Sequence, residues 1–360
     1  MALDRIILTN FRNHRATELA ETRQFNLLVG DNGAGKTNVL EALSLLAPGR
    51  GLRRAGLADI PASSGPGGFA VNVELQRDGG TVRLGTGTNA HQPARRIVQA
   101  NGADIAAVQL GDWLSLGWLT PAMDRLFADS AGARRRFLDR LVLAIEPGHA
   151  RNASRLEAAL RERNRLLSAE IMPESSWFDA LELQLAEAGA AVAEARARMI
   201  EALSVALERL PEAPFARPLL DYQPGGPVDA AGLVDALRAG RARDRAAQRT
   251  LTGPHRDELA VILAGKHQPA AECSTGEQKA MLIAIVLAHS GLLDHSRPSV
   301  LLLDEVAAHL DPLRRAALFE RLRGGPAQVW LTGTELAPFE AIAAEAAVWE
   351  VSGGTVSRQA

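Results

Sequence analysis

The pattern of apolar and polar positions changes texture twice along this chain. Residues 3–9, 25–29, 69–76 and 81–85 are short apolar or alternating runs separated by Gly, Asn and Asp, and they predict strands. Residues 61–68, Pro-Ala-Ser-Ser-Gly-Pro-Gly-Gly, predict a loop. Over residues 37–46 the apolar positions Val39, Leu40, Leu43 and Leu46 have helical spacing. From Pro121 to about Gln248 the pattern is almost wholly helical, broken near Pro173 and again over 211–227. Beyond Thr250 strands and helices alternate once more. Residues 300–303 and 329–332 are apolar enough for buried strands, and 346–351 predicts a terminal strand before a frayed tail.

The longest helical pattern covers residues 177–210. Leu181, Ala188, Ala195 and Ala202 repeat every seven positions, as do Leu185, Val192, Met199 and Ala206, which is an a/d seam. At a rise of ~1.5 Å per residue such a helix spans only ~50 Å. Any projecting arm is short, and the expectation is an amphipathic helix lying on a core.

Composition narrows the class. The 360 residues are 47% hydrophobic and 23% charged, an ordinary globular balance with room for two domains or one domain carrying an insertion. One cysteine, Cys273, allows no internal disulfide and fits a reducing cytosol. The first residues carry an early acid and too short an apolar run for a signal peptide. There is no apolar window long enough for a membrane span, so a cytoplasmic location without membrane attachment is expected. The net charge of −2 gives no hint of nucleic acid, but the arginines cluster. Nine lie between Arg134 and Arg165 against four acids, and six between Arg238 and Arg256 against one. Such clusters are either phosphate-contacting surfaces or solvated helix faces.

The strongest chemical signal is Gly30-Asp31-Asn32-Gly33-Ala34-Gly35-Lys36-Thr37, a complete G-x-x-x-x-G-K-[ST] loop between a predicted strand and a predicted helix. Glycines let the backbone turn tightly and aim N–H groups at phosphate oxygens. The helix N-terminus adds free amides and a positive dipole end. Lys36 reaches the β- and γ-phosphates in this motif, and the Thr37 hydroxyl ligates Mg2+.

A second half of an ATPase follows. The apolar run 300–303 leads into Asp304-Glu305, a Walker B pattern in which Asp304 holds the Mg2+ shell and Glu305 activates a water. Some thirty residues earlier stands Ser274-Thr275-Gly276-Glu277-Gln278-Lys279, similar to the S-G-G-Q signature of ABC-type ATPases. It has Thr275 where the first glycine usually sits, and Glu277 between the second glycine and Gln278. Ala308-His309-Leu310-Asp311 reads as a D-loop. Thr334 occupies the place where transporter ATPases carry a switch histidine. No histidine pair has metal-ligand spacing, so zinc is not expected.

Taken together, these motifs resemble the RecF family of DNA replication and repair proteins. The resemblance covers essentially the whole length. It includes Leu8-Thr9-Asn10-Phe11-Arg12-Asn13-His14, the phosphate loop, Arg134-Arg135-Arg136-Phe137-Leu138-Asp139, Gly253-Pro254-His255-Arg256-Asp257, the signature, the Walker B strand and Leu310-Asp311. It implies an α/β fold, an ABC-ATPase-type head of mixed β-sheet and P-loop core with an inserted, mainly helical lobe. The expected divisions are 1–120 and 249–360 for the head and 121–248 for the lobe.

The resemblance also implies function. Such proteins bind ATP and Mg2+, dimerise head to head, and grip double-stranded DNA at duplex/single-strand junctions. With RecR and RecO they help load RecA on gapped DNA in recombinational repair and replication restart. Carried over by position, Gly30 to Thr37 bind nucleotide, Thr37 and Asp304 bind Mg2+, and Glu305 with Lys36 is catalytic. Arg12 lies where this class places a nucleotide-contacting residue. Ser274, Gly276 and Asp311 serve nucleotide, the signature acting on a partner's ATP. Arg134, Arg135, Arg136, His255 and Arg256 either touch DNA or hold the helical lobe against the head. With Thr275 in the signature and no clear Q-loop glutamine, slow DNA-stimulated hydrolysis is expected rather than fast turnover. The competing reading is the ATPase subunit of a transporter, which predicts a shorter insertion and a switch histidine.

Overall fold

The structure is a computed structural model, and it describes residues 2–62, 65–77, 80–171, 174–211, 213–293 and 297–359. Ser63 and Ser64 of the predicted loop, Pro173 at the predicted helix break and the side chain of His309 lie outside the described residues.

Leu3–Phe11 (β1), His14–Ala20 (β2) and Phe25–Val29 (β3) lead into the helix Lys36–Ser44 (α1). Phe69–Arg77 (β4), Gly80–Asn89 (β5), Gln92–Ala100 (β6), Ala103–Asp104 (β7) and Ser115–Leu119 (β8) follow. Next come Ala131–Ile145 (α2), His149–Leu167 (α3), Ser175–Arg209 (α4), Pro218–Gln223 (β9) and Ala230–Ala246 (α5). Glu258–Leu263 (β10), Gln268–Pro269 (β11) and Thr275–Ser290 (α6) lead on to Ser299–Leu303 (β12) and Pro312–Arg323 (α7). Gln328–Gly333 (β13), Glu340–Ala343 (α8), Ala346–Ser352 (β14) and Thr355–Arg358 (β15) end the chain.

Two compact units result. The first comprises Met1–Asp124, Ala213–Phe215 and Val286–Ala360; the second comprises Arg125–Glu212 and Ala216–Ile285. This differs from the division expected at 121, 248 and 249, and strand pairing gives the reason. β10 pairs antiparallel with β9 from Glu258↔Gln223 to Leu263↔Pro218, so the segment before and including the signature folds with the helices. β9 itself lies in the Pro- and Gly-rich stretch that reads in sequence only as a break.

The first unit is built from two six-stranded sheets. One runs β2-β1-β4-β5-β6-β7 and is antiparallel; the other runs β15-β14-β3-β13-β12-β8 and is parallel except for β15. β4 alternates, with Phe69, Val71, Val73 and Leu75 buried, because one face of its sheet meets the core. β12 and β13 are buried at every position, as parallel strands covered on both faces must be. Leu40 and Leu43 of α1 pack into the same core as Ile6, Val71, Leu302 and Trp330. β3 and β12 flank β13, which brings the carboxyl ends of all three strands side by side. Open α/β sheets bind ligands at that edge.

In the second unit α4 is 35 residues long and packs on a core shared with Leu156, Ala159, Leu233 and Leu237. Leu185, Ala188, Val192, Ala195 and Met199 of the heptad rows are buried, but at the far end Leu203 and Leu207 replace Ala202 and Ala206. A straight helix at 3.6 residues per turn drifts off a seven-residue repeat in that way. The helix lies on a core instead of supercoiling.

Candidate nucleotide-binding site

The loop between β3 and α1 has the backbone its glycines allow. Gly30 has φ 155°, and a Cβ there would lie 2.1 Å from the carbonyl oxygen of Val351. Gly35 has φ 119°, and a Cβ would meet Asn13 Nδ2 at 2.7 Å and His14 Nε2 at 2.8 Å. No other residue fits at either point. The β1–β2 turn braces the loop from below. Asn13 Nδ2 donates to the Ala34 carbonyl at 2.9 Å and His14 Nε2 to the Gly35 carbonyl at 3.0 Å. Burial pushes the His14 imidazole below its usual 6.5, so it stays neutral. Lys36 Nζ lies along the loop and donates to the carbonyls of Gly30 (2.6 Å) and Asp31 (2.9 Å).

Thr37 Oγ1 donates to Asp304 Oδ1 at 3.0 Å, joining the phosphate loop to the end of β12. Thr332, at the end of β13, donates to the same oxygen at 2.8 Å and accepts the Glu305 N–H at 2.8 Å. Asp304 is 6% exposed. Burial raises its carboxyl above the ordinary range and the nearby Glu305 adds to this; Thr332, Thr37 and the charge of Arg53 act in the other direction. Glu305 has φ 53°, a left-handed backbone that a non-glycine residue adopts at a cost of order 1–2 kcal/mol. The hydroxyl of Thr37 and the buried carboxylate of Asp304 are hard oxygen donors suited to Mg2+. With the loop amides and α1 N-terminus they fit a bound nucleoside phosphate and its metal.

Arg12 bonds the carboxylate of Glu41 on α1 through Nη2 at 2.6 Å and Nε at 2.9 Å, and its Nη1 donates to the Asp59 carbonyl. Asp311 caps α7, accepting the Arg314 N–H at 2.9 Å with Pro312 in the first turn. In the second unit, Ser274 and Glu277 form a reciprocal cap at the start of α6. Ser274 Oγ donates to Glu277 Oε2 at 2.8 Å, and Glu277 N–H returns to Ser274 Oγ at 3.4 Å. Lys266 Nζ holds the other carboxylate oxygen at 2.5 Å. The Lys266 and Ser274 bonds bring the Glu277 carboxyl down to about 2. Counting three residues on from Ser274 puts Glu277, not Gln278, where the signature glutamine stands. Gln278 turns inward to the Cys273 carbonyl.

The DNA candidates divide sharply. Arg134 makes a bidentate pair with Glu258 on β10 at 2.6 and 2.7 Å, and Arg135 donates to the Asp257 carbonyl. His255 bonds the Thr250 carbonyl at 2.9 Å, and burial lowers its pKa. These three side chains brace α2, β10 and the turn before it inside the second unit. Arg136 and Arg256 are exposed.

The RecF/RecN/SMC N-terminal domain family matches residues 2–350. A DNA replication and repair protein RecF of Mesorhizobium japonicum is 47% identical, over 98% of this chain and 97% of its own length. The chain belongs to the RecF family. RecF of Rhizobium rhizogenes is 45% identical over 99% of this chain and 98% of its own. Among solved structures, the recombination mediator protein RecF-ATP of the RecFOR pathway has a TM-score of 0.87 with 22% identity, covering 100% of this chain and 98% of its own. An Smc head domain from Pyrococcus furiosus has a TM-score of 0.56 with 17% identity, over 99% and 96% of the two chains. At those identities the likeness is one of fold, and it supports the ABC-type head expected from the motifs.

Two groups of this chain escape a reading of motifs. Thr332 touches the site, whereas Thr334, at the switch-histidine position, is exposed. The signal for Thr332 is a hydroxyl at the end of an apolar run that pairs between the two Walker strands. Glu41 and Arg53 carry no motif; their signal is an acid inside an otherwise apolar helix face, which must find a cation.

Proposed function

We propose that this RecF-family chain is an ATP-dependent DNA-binding protein of recombinational repair and replication restart. In this reading, two copies close head to head on ATP and grip double-stranded DNA at gaps and junctions. They help RecO and RecR to load RecA, and slow, DNA-stimulated hydrolysis releases the grip. The observation that carries the reading is the hydrogen-bonded chain from Thr37 through Asp304 and Thr332 to the Glu305 amide. It couples the phosphate loop to the residue placed to activate water.

Lys36 and the loop amides bind the phosphates, and Thr37 with Asp304 holds Mg2+, which neutralises charge on the phosphates. Glu305 orients the attacking water and takes its proton. Ser274 and Gly276 of one copy serve the nucleotide on the other. The tie between Ser274 and Glu277 must loosen for that hydroxyl to donate outward, which fits slow turnover. Arg136 and Arg256 are the exposed members of the arginine motifs, and they contact DNA phosphates without reading sequence. The transporter reading is disfavoured by the family and by the exposed Thr334. Among the described residues no helix is long and apolar enough to cross a membrane, and the proposed location is the cytoplasm.

The test is sedimentation of the Glu305→Gln protein with labelled gapped duplex DNA in ATP or in ADP. A dimer that carries DNA down in ATP alone is expected. A monomer free of DNA in both nucleotides would refute the clamp.

A further inference from the structure

We propose that Glu277 stands in for the partner's phosphate: its carboxylate holds the Ser274 donors in the separate chain, and Lys266 takes it over when two copies close on ATP. The inference deepens the head-to-head reading above and rests on it.

A capping box asks little of its acid. The carboxylate accepts the N-cap N–H, and the N-cap hydroxyl accepts an N–H in return. Glu277 does more. Its Oε2 accepts both the Ser274 N–H at 3.0 Å and the Ser274 hydroxyl at 2.8 Å. Both donors stand at the start of α6, where the helix dipole favours an anion. One carboxylate oxygen therefore engages the very groups that Ser274 would offer an incoming phosphate. The Lys266 and Ser274 bonds keep this carboxyl at about 2, so it is ionised at neutral pH and the exchange is not governed by protonation.

The other oxygen is held by a cation from a different element. Lys266 Nζ bonds Glu277 Oε1 at 2.5 Å from the short turn Ala264–Lys266, which joins β10 to β11. β11 pairs with β10 at Ile262↔Pro269 and Leu263↔Gln268, and Gln268 Nε2 donates to the Glu272 carbonyl at 3.0 Å. These bonds anchor the turn beside the signature. A helix cap needs no cation, but a carboxylate that must leave its cap does. Lys266 draws charge from the carboxylate, which weakens its hold on Ser274, and it can donate to both oxygens once Ser274 turns outward. Without it the displaced anion would face the partner's phosphates unscreened.

The approach is open. Ser274, Thr275 and Gly276 are exposed, and a Cβ at Gly276 would meet no described atom within 4 Å. Nothing among the described residues requires a glycine there. A phosphate arriving from outside does, because a side chain would stand in its way.

The test is the Mg-ATP concentration at which half of the full chain sediments as a dimer, with Glu305→Gln present throughout to stop turnover. K266Q leaves the carboxylate without its second partner and should raise that concentration about fivefold or more. E277Q removes the anion, keeps an oxygen for the Ser274 cap, and should lower it about fivefold. K266Q/E277Q should match E277Q, since Lys266 acts only through the carboxylate, and K266R should match the parent. Affinity for Mg-ADP, read with a fluorescent analogue, should stay within twofold in all of them, since the signature serves the other copy's nucleotide. An unchanged concentration in either K266Q or E277Q overturns the proposal and leaves the pair as a helix cap. E277Q dimerising as poorly as S274A also overturns it, and makes Glu277 part of the phosphate site. A K266Q defect that persists in the double variant overturns it too, and transfers Lys266 to direct contact with the partner. A parent that stays monomeric at saturating Mg-ATP refutes the head-to-head reading and the exchange with it. Should E277Q fail to fold, E277S repeats the comparison: K266Q without effect in that background supports the proposal, and a rise there overturns it.

Discussion

Thr332 Oγ1 donates to Asp304 Oδ1 at 2.8 Å, and the same hydroxyl accepts the backbone N–H of Glu305 at 2.8 Å. One side chain on β13 thus fixes the direction of the buried carboxylate and the left-handed backbone of the residue after it. Thr332→Val keeps the volume and removes both bonds. It should cost roughly 1–3 kcal/mol of stability, since a buried carboxylate loses a donor and a buried amide its acceptor. Phosphate release should fall more than tenfold because Glu305 is no longer held. Thr332→Ser should restore most of both. Urea unfolding and a phosphate-release assay check this; a Val variant as stable and as active as the parent would sink it.

The arginine run on α2 makes a separate prediction, because neighbours in sequence have different partners. Arg134 is bidentate to Glu258 with both side chains largely buried. A double-mutant cycle of Arg134→Ala and Glu258→Ala should show coupling of about 1–3 kcal/mol in unfolding experiments. Arg136→Ala should leave stability within about 0.5 kcal/mol. If it contacts a DNA phosphate, it should reduce the slope of log affinity against log salt by about 0.9. Equal effects of Arg134→Ala and Arg136→Ala on stability would contradict this division.

These two cases show what could be read from the chain alone. β3, β12 and β13 were legible because buried parallel strands are continuous apolar runs, and the Walker residues because each motif is contiguous. β2, His-Arg-Ala-Thr-Glu-Leu-Ala, was not, since an edge strand with its outer face wet carries little apolar signal. β15, also an edge strand, escaped for the same reason, and β6 escaped because it begins Gln-Pro-Ala-Arg-Arg and is exposed over that half. The site residues that sequence missed are those whose role is tertiary. Thr332 matters because β13 lies between β3 and β12, and Glu41 because two arginines distant in sequence converge on it. Whether the RRxFLD-like run faced outward or inward was open in sequence; Glu258 on β10 and the Asp257 carbonyl just before it account for Arg134 and Arg135.

Acid sensitivity should centre on the network below α4. Arg196 binds Asp139 at 2.8 Å with both carboxylate oxygens engaged, and binds Asp257 at 2.7 Å; His149 Nε2 adds a bond to Asp139 at 2.9 Å. Burial alone would raise the Asp139 carboxyl, but the His149 bond and the Arg196 charge outweigh it and bring it down to about 2. A carboxyl depressed in the folded state from an ordinary 3.8 stabilises above that value and loses the contribution as pH falls towards 2. The contribution is roughly 2 kcal/mol. Asp139→Asn should therefore be destabilised at pH 7, and its gap to the parent should narrow as pH falls from 3.8 towards 2. Unfolding free energies at pH 7, 5 and 3 check the sign; a gap that widens with acid would be incompatible with this assignment.

The phosphate-loop helix depends at its far end on a residue from the other sheet. α1 ends at Ser44, and its last carbonyls accept from the N–H groups of Leu45, Leu46 and Ala47. Arg96, on β6, ties down the turn that supplies these donors. Its Nη2 donates to the Leu45 and Ala47 carbonyls and its Nη1 to the Gly49 carbonyl at 2.7 Å, while Nε binds Thr86 Oγ1 at 2.9 Å. Burial without an acidic partner lowers its pKa to about 10, still far above neutrality, so the side chain remains charged and favours the negative end of the helix dipole. Arg96→Met keeps the aliphatic stem and removes the donors. It should destabilise the first unit by roughly 1–3 kcal/mol, and Arg96→Lys should recover only part, since one ammonium cannot span three carbonyls and a hydroxyl. Loss of order at the end of α1 should also loosen Glu41 and Thr37, so nucleotide affinity should fall with stability. Hydrogen exchange at the amides of residues 40–47 is the direct measurement. Faster exchange there, with the second unit unchanged, is the expected result; protection identical to the parent would mean that the cap contributes nothing to the helix.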